Sequence, residues 1–133
     1  NHGGMVAFAG ANRDADPDGW EAWGPVEVHK VESGVLHGEP YEEHIDIHGM
    51  TEEDMNVVAD HFADCAEILK SAGYDMVLLH GGHGWLLDQF LSPLYNTRTD
   101  EYGGSLENRA KFPSWSSTGS ASAAATTFSS NTA

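Results

Sequence analysis

Through residues 51–72, TEEDMNVVADHFADCAEILKSA, apolar side chains at Met55, Val58, Phe62, Cys65, Ala66 and Leu69 return every three or four positions. That spacing lines one face of an α-helix. Thr51 stands before the run as an N-cap, with Asp54 three positions on and Glu52 and Glu53 in the first turn, so the free amides and the positive helix end both find partners. Lys70 and Gly73 close it. The pattern then changes. YDMVLLH, residues 74–80, is apolar on consecutive positions over the length of a strand, which predicts a strand buried on both faces. Helix, glycine and buried strand in that order predict parallel α/β architecture, and such folds place their sites at the carboxyl ends of strands, where His80 falls.

Elsewhere the periodicity is weaker. Residues 10–50 are rich in glycine, proline, aspartate and tryptophan. They read as a long functional or lid-like excursion, with short strands at 26–31 and 43–47. Residues 113–133, PSWSSTGSASAAATTFSSNTA, carry no charged side chain and neither helical nor strand period, so a disordered tail is expected there. The charged amphipathic stretch SLENRAKF stops at Phe112 as if cut, which sets the expected boundary between a folded part, 1–112, and the tail, 113–133. A frame error or truncated gene would look like this. With Asn1-His2-Gly3-Gly4 at the start and no initiator methionine, the expectation is a fragment.

Charge narrows the choice of partner. The chain of 133 residues holds 21 acidic against 6 basic side chains, a formal net charge of −15, which would repel nucleic acid and anionic lipid. A small organic ligand remains the expected partner, with histidines as the local source of positive charge. One cysteine, Cys65, excludes an internal disulfide and a cysteine-ligated cluster within the chain, and its place on the apolar face of the predicted helix makes it a buried small hydrophobe. A reducing cytoplasm is the expected compartment, since no stretch approaches the roughly 18 apolar residues of a membrane span.

The sharpest chemistry lies in HGGHGWLLDQFLSP, residues 80–93. His80 and His83, three apart on a turn loosened by Gly81, Gly82 and Gly84, could aim two imidazoles at one small ligand. Paired N–H donors are what a developing oxyanion on a carbonyl needs. A turn whose histidines only bond the backbone reads equally well. A metal site would want a third ligand, and none follows at a telling spacing. His44, Asp46 and His48 alternate along HIDIHG and would share one face of a strand, which suits a divalent metal or, more simply, solvent. In YNTRTDEYGG, residues 95–104, Arg98 and Asp100 predict a loop held by an arginine to carboxylate contact, with Ser105 capping the helix that follows.

Residues 80–112, HGGHGWLLDQFLSPLYNTRTDEYGGSLENRAKF, closely resemble the signature of the Old Yellow Enzyme family, also called the NADH:flavin oxidoreductase family. NHGG at 1–4 resembles the end of that family's third barrel strand, and the helix at 51–72 the one leading to the fourth. The resemblance implies a partial (β/α)8 TIM barrel, about strands 3 to 4 with their helices, with FMN at the carboxyl ends and NAD(P)H as hydride source. It implies reduction of an activated C=C bond of an enoate, enoyl or enone substrate, with His80 and His83 binding the substrate carbonyl and His2 at the cofactor. Trp85 stands where the family often carries a proton-donating tyrosine; indole is not a usable acid, so no catalytic role passes to it. The family's other flavin contacts have no counterpart, and neither do the iron–sulfur motif and FAD-type nucleotide domain of longer relatives. The chain alone is therefore expected to bind FMN poorly. Two other classes stand beside this one: a non-catalytic remnant, and a TIM-barrel metal-dependent hydrolase using His80, His83 and the HIDIH face.

Overall fold

The computed structural model describes Gly4, Met5, residues 22–36 and residues 38–118. Its elements run β1 (Ala22–Gly24), β2 (Val28–Leu36), β3 (Glu39–Gly49), α1 (Glu52–Ser71), α2 (Leu86–Leu91), α3 (Leu106–Arg109) and α4 (Lys111–Thr118). The three strands form one mixed sheet in the order β1-β3-β2. β1 lies parallel to β3 with Ala22 opposite Ile47, and β2 runs antiparallel to it from Val28 opposite Ile47 to Leu36 opposite Glu39. Gly38, at φ 90°, takes the left-handed turn between the arms. The stretch expected to be irregular with two short strands is thus a long hairpin over 28–49. Alternation in EHIDIHG was the signal, diluted by the acidic residues around it, and toward the far end of the hairpin Val31 and Val35 are 55% and 71% exposed. Residues 10–21 of the expected excursion lie outside the described residues.

Helix α1 begins as its sequence predicts. Thr51 and Asp54 form a capping box, each side chain bonding the other's backbone amide. Met55, Val58 and Ala59 are buried, and the first two pack on a core that gathers Met50 from the β3–α1 junction, Leu86, Leu87 and Phe90 from α2, Tyr102 from the loop before α3 and Phe112 from α4. The face loses its cover toward the carboxyl end. Cys65 is exposed, against the expectation of a buried thiol, and Ile68 is 67% exposed.

The expected strand at 74–80 is corrected as well. Residues 74–79 form no strand, and Met76 and Leu78 are 74% and 86% exposed. A continuous apolar run becomes a buried strand only when neighbours on both sides take its hydrogen bonds, and no described strand lies beside this one. The fold is α/β, but the described residues build a mixed sheet and not two adjacent parallel strands of a barrel. Helix α4 runs across Phe112 to Thr118, Phe112 is fully buried, and Trp115 sets its ring edge-on to Tyr102 at 5.5 Å. The remainder of the expected tail, 119–133, lies outside the described residues.

Candidate functional site

The His80–Trp85 turn is fixed from below by α2. Asp88 accepts from the Gly84 amide at 2.8 Å, and the fully buried Gln89 donates from Nε2 to the Gly84 carbonyl at 2.5 Å. Through Oε1, Gln89 also accepts from the Met5 amide at 2.9 Å. Gly4 sits so close to that amide group, at φ 58°, that any Cβ would collide with it. One glutamine therefore ties the Gly4–Met5 backbone to the turn at Gly84. An uncharged polar residue between Asp88 and Phe90 in the otherwise apolar run LLDQFL is the signal in the sequence. Replacing Gln89 by leucine keeps the volume but leaves the Met5 amide and Gly84 carbonyl without these bonds. A loss of about 2 kcal/mol is expected, checked by the urea midpoint; an unchanged midpoint would show that the glutamine ties nothing together.

His80 and His83 are brought together as their spacing suggested. His83 is the one non-glycine residue at positive φ among the described residues, at 59°, a backbone state costing about 1 kcal/mol for an L-residue. That conformation lays its ring beside His80, with centroids 4.8 Å apart and His83 Nδ1 2.9 Å from His80 Nε2. His80 is half-buried and His83 exposed. Trp85, half-buried, holds the N-cap position of α2 without a side-chain cap. His2 lies outside the described residues.

The second half of the signature holds the structure together. Arg98 donates from Nη1 to the carbonyls of Pro25 at 2.7 Å and Met50 at 2.6 Å, and from Nε and Nη2 to Asp100. The predicted contact is therefore present, with two more that no local pattern foretold. Asn96, buried, donates to the carbonyls of Phe90 and Tyr102, both at 2.8 Å. Ser105 caps α3, and Arg109 reaches back to the carbonyls of Leu91 and Gly104.

Charge follows these contacts. The Arg98 guanidinium holds the Asp100 carboxyl below its ordinary value of 3.8. Burial pushes Asp54 up, but bonds from Thr51 and His48 outweigh it and bring that carboxyl down as well. In both cases the unfolded chain binds the proton more readily, so this stability is whole above a pH of about 4 and disappears as pH falls through the lower folded-state values. Melting temperature should fall as pH drops through that window, and Asp100→Asn should flatten the fall. An unchanged slope in the variant would remove Asp100 from the account.

Among the described residues the HIDIH face assembles no metal site. Asp46 bonds His29 at 2.8 Å and His48 bonds Asp54 at 2.9 Å, and no group of three histidine, cysteine, aspartate or glutamate residues among those described could hold a metal ion. The His44 side chain lies outside the described residues.

Comparison with known proteins adds the family. The profile of the NADH:flavin oxidoreductase / NADH oxidase family matches residues 2–114, so a flavin-type oxidoreductase class covers most of the chain. This chain belongs to that family, as the signature at 80–112 led one to expect. An NADPH dehydrogenase of Bacillus licheniformis is 53% identical over 60 residues, 45% of this chain and 18% of that protein. Enoate reductase 1 of Kluyveromyces lactis is 48% identical over 65 residues, 49% of this chain and 16% of that one. Among solved structures, morphinone reductase in complex with tetrahydroNAD superposes with a TM-score of 0.66 at 28% identity, over 86% of this chain and 32% of its own. The chain thus spans less than a fifth of the length of these curated relatives.

FMN, the cofactor implied by the family, does not find its cradle in the described residues. A ribityl phosphate is best held by arginine forks or converging backbone amides. Arg98 and Arg109 spend their donors on backbone carbonyls and Asp100, and Lys111 is paired with Glu101 at 3.0 Å.

Proposed function

We propose that this chain is a piece of an FMN-dependent NAD(P)H oxidoreductase that reduces an activated C=C bond, and that its own contribution is a carbonyl-binding site formed by His80 and His83. The observation that carries the reading is the approach of the two rings, within 2.9 Å, on a turn anchored by α2. The names of its relatives support the class: NADPH dehydrogenase, enoate reductase and morphinone reductase. When bound, FMN would supply the hydride chemistry. The described residues neither cradle it nor carry a step through it.

What these residues do is bind and orient. An N–H from each imidazole given to one carbonyl oxygen would draw electron density from the conjugated β-carbon and stabilise the enolate-like charge that follows. Trp85 offers only an N–H donor, so the α-carbon proton is left to solvent. The substrate is an enone, enoate or enoyl compound in this reading. No described helix is long and apolar enough to cross a membrane, and a cytoplasmic setting is part of the proposal.

The test is calorimetric titration of the chain with 4-hydroxybenzaldehyde, wild type against the His80→Ala/His83→Ala double variant. Two bonds of about 1 kcal/mol each are lost against one ring-to-ring bond that binding no longer has to break, so affinity should fall roughly fivefold. Equal affinity would overturn the assignment.

A further inference from the structure

The contact that defines the candidate site also fills it. In a neutral imidazole one nitrogen donates and the other accepts, and the two point in nearly opposite directions. His83 Nδ1 and His80 Nε2 lie 2.9 Å apart, so one must carry the proton and the other the lone pair. If His80 Nε2 donates, His83 carries its own proton on Nε2. If His83 Nδ1 donates, His80 carries its own on Nδ1. Either way both rings take the same tautomer and one N–H is left, facing away from the ring-to-ring bond.

A pair in this state cannot close on one ligand oxygen. Its two remaining nitrogens, His80 Nδ1 and His83 Nε2, diverge, and only one of them is a donor. We propose that the His80–His83 hydrogen bond is a latch on the carbonyl site, and that a ligand enters by exchanging this bond for one N–H from each ring. This rests on the carbonyl-binding reading above and adds its gate. The exchange gives up one N–H···N bond and makes two N–H···O bonds, so it favours an atom that accepts twice. Carbonyl and enolate oxygens have two lone pairs. A nitrile nitrogen has one; it takes the single free N–H and leaves the latch shut. The selected class is therefore an alkene activated by a carbonyl group over one of the same shape activated by a nitrile. The turn suits the motion: Gly81 and Gly82 separate the two histidines, Gly84 follows, and among the described non-glycine residues His83 alone holds the left-handed backbone that lays its ring beside that of His80, the planes tilted by 40°.

The latch is visible to NMR of the chain labelled with nitrogen-15 in its histidines. The ligand-free chain at neutral pH should show a scalar coupling between His83 Nδ1 and His80 Nε2, with both rings in one tautomer. Absence of that coupling overturns the latch. Cyclohex-2-enone should abolish the coupling in step with its occupancy, whereas cyclohexene-1-carbonitrile should bind at least tenfold more weakly and leave it intact. If the enone shifts the ring resonances with the coupling unchanged, the latch is overturned. The carbonyl-site reading then survives, provided the double alanine variant loses that binding. An enone that moves neither ring overturns both.

Discussion

Replacing Arg98 by alanine is expected to cost about 3–5 kcal/mol, a large fraction of the roughly 5–15 kcal/mol that holds an ordinary domain together. The size of the effect comes from what is left behind. Nη1 serves two carbonyls, Pro25 after β1 and Met50 after β3, that belong to different segments and lie 73 and 48 residues away in sequence. The rest of the guanidinium closes on Asp100, and the side chain is only 15% exposed, so water does not readily replace it. Lysine should recover part of the loss, since one ammonium can meet a carbonyl or the carboxylate but lacks the fork that meets all three. Gly103 belongs to the same arrangement: a Cβ there would strike the Arg98 carbonyl. Urea unfolding followed by tryptophan fluorescence measures the change. A loss below about 0.5 kcal/mol, within the range of an ordinary surface ion pair, would reduce the arginine to that status.

What could be read from the sequence divides along a physical line. Helix α1 and its capping box are local, set by residues one turn apart, and both stand as read. The contact of Arg98 with Asp100, two residues on, was legible for the same reason, while its bonds to Pro25 and Met50 depend on how distant segments pack. Residues 74–79 mislead because apolarity tells that a strand would be stable if covered, not that anything covers it. Cys65 misleads in the same way. The histidine spacing showed that the two rings could meet, but the ring-to-ring bond depends on the left-handed backbone of His83, which no pattern of residue types reveals. Across the expected boundary, Phe112 and Trp115 are three apart, half of a helical face, a signal obscured by the serines and threonines that follow.

Phe90→Ala and Phe112→Ala should each cost about 3–5 kcal/mol, and the pair together should cost less than the sum. Both rings are fully buried, and they pack on one another with centroids 4.6 Å apart at an angle of 58°. Phe90 belongs to α2, the helix whose Asp88 and Gln89 fix the histidine turn, and Phe112 belongs to α4, which packs against α1. The aromatic contact thus connects the support of the candidate site to the helix that the sequence predicts best. Removing either ring leaves a cavity and an orphaned partner; removing the second ring then deletes an interaction already lost, which gives a coupling of about 0.5–1.5 kcal/mol. Because Phe112 supports α2 from a distance, Phe112→Ala should also broaden the imidazole resonances of His80 and His83 before the chain unfolds. Full additivity of the two losses, with sharp and unshifted histidine signals in Phe112→Ala, would show that α4 stabilises the chain without steadying the turn.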